Sequence, residues 1–270
     1  MSDRMTVTID EGVADVRLNR PEKMNALDLA MFNALIDTSA ALANEPSVRA
    51  VVLSGEGKAF CAGLDFAAFQ QMAGAPADGS ESIGDVGEGR ITHRGQQACY
   101  GWTELPVPVI AAVDGVALGG GAQICLAADI RIVAPDTRLS ILEIRWGLVP
   151  DMTGPQRLVE LVGLDVAKEL TFTGRVVEGP EAVELGLATK VADDPRGAAM
   201  EMAREMASKS PDAIRAAKRL LRSAGQVDEA EGFAMERREI AALIASPNQV
   251  EAVQAYFEKR EPAFADPGGE

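Results

Sequence analysis

The sequence predicts an α/β fold on three observations. Short apolar runs at 48–53, 107–113 and 130–133 read as buried strands. Between them lie stretches with apolar residues at helical spacing, such as Leu27, Met31, Leu35 and Leu42. From about residue 195 the pattern is almost wholly helical. Strands interleaved with helices argue for helix layers packed on sheet.

The elements follow in order. Residues 5–9 and 13–18 alternate apolar and polar side chains around Asp10-Glu11-Gly12, which reads as a hairpin. The helix expected over 26–43 is capped by Asn25 or Asp28 and stopped by Asn44-Glu45-Pro46. Strand 48–53 ends in the turn Ser54-Gly55-Glu56-Gly57. Residues 72–95 are rich in Gly, Ala, Ser and Asp, and read either as a loop or frayed helix over a site or as disordered chain. Strand 107–113 leads through Asp114-Gly115 to Gly119-Gly120-Gly121 and a helix at 122–128. Helices are expected at 198–208, 212–224, 228–245 and 249–259. Pro211 and Pro247 mark starts, each after a serine able to cap. The organisation expected is a core over 1–195 and a helical unit over 196–270.

Composition narrows the function. Of 270 residues, 41 are Asp or Glu and 26 are Lys or Arg, a net charge of −15. So acidic a chain repels phosphate backbones and anionic bilayers, which argues against nucleic-acid or membrane partners. The most apolar stretch, 107–128, is broken by Asp114, Gln123 and four glycines, and is a poor membrane span. Residues 1–8 carry no apolar leader, and Cys61, Cys99 and Cys125 match no disulfide framework or zinc pattern, so a cytoplasmic setting is expected.

Familiar catalytic sets are thin. The one histidine, His93, has no nucleophile elbow to serve, and no metal-ligand spacing or phosphate-binding loop is present. Two strand-to-loop elements stand out instead. Glycines 119–121 open a helix whose first N–H groups are free to meet an anion or a developing oxyanion. The loop 55–66 offers a second source of backbone N–H, and two such donors make an oxyanion hole.

The segments NRPEKMNALD (19–28), GEGKAFCAGLDF (55–66), PVIAAVDGVALGGGAQICLAADIRIVAPDTRLSILEIRWGLVPDMTGPQRL (108–158), TGRVVEGPEAVELGLATKV (173–191) and YFEKREPAF (256–264) resemble, in that order, the crotonase superfamily, the enoyl-CoA hydratase/isomerase family. The resemblance spans essentially everything but 72–95. It implies a spiral of repeated β-β-α units whose helical C-terminal part packs on a neighbour, in homotrimers or pairs of trimers. It implies an acyl-CoA substrate of the fatty-acid β-oxidation type, with coenzyme A part of the substrate and no separate cofactor. By motif position, the N–H groups of Leu64 and Gly120 hold the thioester oxygen as an enolate. Such donors are worth roughly 3–4 kcal/mol each. CoA contacts fall on Lys23 or Arg20, on Ala62, and on Lys259 with Arg260.

The resemblance also places the acids. Hydratases of this family hold one water between two carboxylates; here the first position is Gln123 and the second is Glu143. An amide orients water but cannot take its proton, so the favoured reaction is double-bond isomerisation with Glu143 as the proton carrier. Hydration by Glu143 alone and a non-catalytic acyl-CoA-binding role are the alternatives. Asp151, eight residues on, matches an acid of the dienoyl-CoA isomerase branch and can equally cap the next helix. Asp65 reads as a loop-ordering residue. A dehalogenase would need His at Gln96 and Trp at Glu143.

Overall fold

The computed structural model describes residues 3–65, 86 and 89–267. Strands β1 (Met5–Asp10) and β2 (Val13–Leu18) form the expected hairpin. Its two turn residues, Glu11 and Gly12, both have positive φ, 47° and 81°, as a tight hairpin turn requires. Helix α1 (Leu29–Ala43) buries Met31, Ala34, Leu35 and Leu42 on one face, and β3 (Ala50–Gly55) follows parallel to β2. Asp28, not Asn25, caps α1: its carboxylate accepts the Met31 N–H at 2.8 Å. Asn25 is fully buried and left-handed (φ 54°), and its Nδ2 donates to the Glu56 and Ala59 carbonyls.

Of the stretch 72–95, residues 72–85 and 87–88 lie outside the described residues. Its end leads into α2 (Arg94–Glu104), a helix not anticipated from the sequence. The lone histidine starts it: His93 Nδ1 accepts the Gly95 N–H at 3.1 Å, and the Gln96 side-chain oxygen accepts the His93 N–H at 3.1 Å. Strands β4 (Val109–Val113) and β5 (Val116–Leu118), helix α3 (Gly120–Leu126), and strands β6 (Ile130–Val133) and β7 (Arg138–Ser140) come next. They are followed by α4 (Gly154–Val162), α5 (Leu164–Thr173), β8 (Val177–Glu178), α6 (Gly179–Glu184) and β9 (Lys190–Val191).

The main sheet has the order β1-β2-β3-β4-β6-β9, and the second β5-β7-β8. All the main-sheet pairs are parallel except β1·β2. The β4 residues are all buried, which is why these strands read as continuous apolar runs. Strand alternation splits the main sheet into two faces. Val51, Leu53, Val109 and Ala111 join the larger core with Met31, Leu35 and Trp102. Val13, Ala50, Val52, Ile110 and Ile132 meet Ala199, Ala203 and Ala207.

Those alanines lie on α7 (Pro195–Ala207). The first helix of the expected 196–270 unit therefore covers one face of the main sheet. Helices α8 (Pro211–Ser223), α9 (Glu229–Leu243) and α10 (Pro247–Glu258) complete the chain. Ser210 and Ser246 cap α8 and α10 as anticipated. Among the described residues, no helix is long and apolar enough to cross a membrane.

Candidate active site

The site is built where the second sheet meets the loop after β3. Cys61 donates its N–H to Val116 O and accepts from Leu118 N–H, both at 3.0 Å. Farther along, Leu27 N–H reaches Gly63 O at 2.8 Å and Asp65 N–H reaches Leu27 O at 3.0 Å. These bonds bracket Leu64. In a trans peptide group the N–H points opposite to the C=O; Gly63 O faces Leu27, so the Leu64 N–H points away from Leu27. Among the described residues, no hydrogen bond uses the N–H of Leu64 or of Gly120.

Gly63 makes this approach possible. Its φ is +87°, and a Cβ there would stand 2.6 Å from Leu118 O and 3.8 Å from Gly120 N. Only a residue without a side chain fits that backbone and that gap. Gly120 faces an apolar wall, for a Cβ on it would meet Leu27 Cδ1 at 2.8 Å and Met152 Sδ at 3.0 Å.

Glu143 begins a 3-10 turn, Glu143–Trp146, just beyond β7. A Cβ on Gly119 would lie 3.5 Å from Glu143 Oε1, so the carboxyl sits beside the glycine turn. Buried Gln123, on α3, donates from Nε2 to Glu143 Oε1 at 2.6 Å. Gln123 Oε1 accepts the N–H groups of Met152 (2.8 Å) and Gly154 (3.0 Å). Glu143 Oε2 is buried and, among the described residues, has no hydrogen-bond partner. Burial pushes the Glu143 carboxyl above the usual carboxylate range; its own backbone N–H and the Gln123 amide pull it back, and Asp151 pushes it further up.

Asp151 is exposed between buried Pro150 and Met152. It does not cap α4, which corrects one of its two expected roles. The Gly154 N–H at that helix start goes to Gln123 instead, and the cap position is Thr153, left-handed (φ 74°) with no side-chain cap bond.

The structure thus brings Leu64, Gly120, Gln123 and Glu143 together, with the charge of Asp151 within reach. Ala62 joins them through its N–H to Met24 O at 2.9 Å, which ties the loop to the 3-10 turn Pro21–Lys23. Lys23 is exposed on that turn. Arg20, its alternative, is committed elsewhere. It pairs with Asp65 at 2.6 Å, donates to Ala26 O at 3.0 Å, and leaves only 11 % of its side chain exposed. Asp65 thus has an ion-pair partner that fixes the loop carrying Leu64.

Lys259 ends α10 in a left-handed conformation, and its N–H bonds back to Tyr256 O. Among the described residues, no hydrogen bond joins it to the loops above. Arg260 is taken up by Glu251 and Glu258. The three cysteines are buried, and burial holds the Cys61 and Cys125 thiols up at about 12, so they are neutral. The site also uses Met152 and Asn25, neither singled out for it from the sequence. An asparagine in left-handed backbone holding two loop carbonyls needs the tertiary partner to be recognised.

Two backbone amides without a partner among the described residues, one on a loop and one at a helix start, stand with a buried carboxyl on a crotonase fold and define the class of protein. The chain belongs to the enoyl-CoA hydratase/isomerase family, whose model matches residues 8–267. It is 35 % identical over 262 residues to the mouse enoyl-CoA hydratase domain-containing protein 2, mitochondrial, covering 94 % of this chain and 85 % of that one. It is 31 % identical to mouse methylglutaconyl-CoA hydratase, mitochondrial, over 94 % of this chain and 80 % of that one. The crystal structure of enoyl-CoA hydratase from Bacillus anthracis superposes with a TM-score of 0.86 at 33 % identity, covering 97 % of this chain and 98 % of that one.

Proposed function

We propose that this enzyme isomerises the double bond of an enoyl-CoA through an enolate held by the Leu64 and Gly120 N–H groups. Glu143 Oε2 takes a proton from C2 of a 3-enoyl-CoA, and the electron pair moves into the thioester carbonyl. The carboxyl then returns a proton to C4, the carbonyl re-forms, and the double bond lies between C2 and C3. No atom is gained or lost. Preorganised donors at the thioester oxygen stabilise the charge that develops there. A carboxyl with a raised pKa suits taking and returning a proton near neutral pH. Asp151 acts as a second proton carrier when the substrate is a 3,5-dienoyl-CoA, where protons move farther along the chain.

One observation carries this reading. Glu143 has one oxygen, Oε2, buried and without a partner among the described residues, while the other, Oε1, accepts from an amide where the first carboxylate of the hydratases would stand. Hydration by Glu143 alone is the second reading, favoured by relatives that bear hydratase names. Lys23, Ala62 and Lys259 contact the CoA moiety, Lys259 from a neighbouring copy. That copy packs on the exposed apolar residues of α9 and α10, among them Phe233, Ile240, Val253 and Phe257, in a homotrimer or a pair of trimers, which sedimentation would measure.

The experiment is a panel of 2-enoyl-, 3-enoyl- and 3,5-dienoyl-CoA followed by absorbance. Conversion of the 3-enoyl and dienoyl esters supports isomerisation. Water addition to the 2-enoyl ester alone supports hydration. Binding of all three without conversion points to an acyl-CoA-binding protein.

A further inference from the structure

We infer that Gln123 is a positioning residue that gives the two oxygens of Glu143 separate roles, Oε1 as a fixed acceptor and Oε2 as the proton carrier. The inference rests on the isomerase reading, which it deepens. The two ends of an amide differ, because the oxygen only accepts and the nitrogen only donates. Backbone N–H groups only donate, and two of them, from Met152 and Gly154, converge on one end of the Gln123 side chain. That end is therefore the oxygen, whatever rotation is chosen. The NH2 group is left facing Glu143 Oε1 at 2.6 Å.

An oxygen that accepts from an N–H donor there cannot also carry a proton toward it. Proton exchange is thereby confined to Oε2, the oxygen with no partner among the described residues. Gly154 helps hold this arrangement, since a Cβ there would stand 2.6 Å from Gln123 Oε1. Among the described residues, the groups that act on the Glu143 carboxyl are Gln123 from α3, its own backbone N–H, the charge of Asp151 from the loop before α4 and, more weakly, the buried Cys99 thiol of α2. No cation is one of them among the described residues, and the Gln123 amide is the side-chain donor that favours the ionised form.

A carboxylate at position 123 would change the site without emptying it. One oxygen would still accept the Met152 and Gly154 N–H groups. The other would face Glu143 Oε1 across a hydrogen-bond distance, where two carboxyls share a single proton and titrate as a pair. With that proton present, the 123 side chain still donates to Oε1; once it is lost, the two anions repel.

The test compares the pH dependence of 3-enoyl-CoA isomerisation in wild type, Gln123→Glu and Gln123→Leu. The wild type should show one limb, rising with pH as Glu143 ionises. Gln123→Glu keeps both backbone bonds and should add an alkaline limb, falling tenfold per pH unit as the shared proton leaves. Gln123→Leu should move the acid limb to higher pH, because the donor that favours the carboxylate is gone. Carbon-13 NMR titration of glutamate-labelled protein, with the Glu143 signal assigned by its loss in Glu143→Gln, reads the same displacement without turnover. A Gln123→Glu profile that superimposes on wild type, or a Glu143 midpoint unmoved by Gln123→Leu, overturns the inference. A displaced midpoint in an enzyme that fails to isomerise leaves the inference standing and removes the isomerase reading.

Discussion

Gly119 donates its backbone N–H to the carbonyl of Ser140 at 2.8 Å. That bond joins the glycine turn to the end of β7, three residues before Glu143. The Gly120 amide and the carboxyl are thereby carried by one small sheet, and the Leu64 amide is brought to them by the loop that Cys61 pairs along β5.

The approach of that loop depends on Gly63. A methyl group there would enter the space of Leu118 O, on a backbone with φ +87°. Gly63→Ala should cost about 1–3 kcal/mol of stability, the usual cost of a strained position. It should also slow turnover by about 10²–10³, as removal of one oxyanion donor does. Urea unfolding and steady-state kinetics measure the two; wild-type values in both would mean the loops do not need this contact.

The buried carboxyl has opposite effects on stability and on activity. Between its ordinary value of 4.5 and its raised value, folded Glu143 holds more proton than unfolded chain does, so stability falls as pH rises through that window. Glu143→Gln should therefore melt higher than wild type at pH 7, and the difference should close below the ordinary value. Calorimetry at several pH values checks this. A base must be ionised to act, so turnover should instead rise with pH through the same window.

Asp151 is exposed and does not cap α4. Asp151→Asn should change stability by no more than about 0.5 kcal/mol. Its effect should fall on 3,5-dienoyl-CoA, with turnover reduced about a hundredfold or more, a larger loss than with the 3-enoyl ester. Equal losses on both substrates would deny it a separate proton-carrying role.

Much of this was legible in the sequence, and the gaps have physical causes. Val13–Leu18 and Ile130–Val133 fall where their alternating or apolar patterns put them. β5, β7, β8 and β9 have only two or three residues each, too few for any periodicity to register. Helix α2 begins inside a stretch that reads as loop, because its start is a histidine capping box, a rarer device than the serines before Pro211 and Pro247. The motifs indicated which residues approach the thioester. They did not indicate that Arg20 would be spent on Asp65 rather than on a phosphate, nor that Gln123 would hold Glu143 and the 152–154 backbone at once. Those facts depend on partners 20 to 45 positions away, which no local pattern encodes.

The central claim is that one carboxyl, Glu143, moves the proton. Its most direct test is the rate of 3-enoyl-CoA conversion to 2-enoyl-CoA by wild type and by Glu143→Gln, with thioester affinity measured on the same samples. The expected result is conversion by the wild type, a loss of about a thousandfold or more in the variant, and affinities within about twofold of each other. Equal rates in the two proteins, or a wild type that hydrates the 2-enoyl ester and leaves the 3-enoyl ester unchanged, would contradict it.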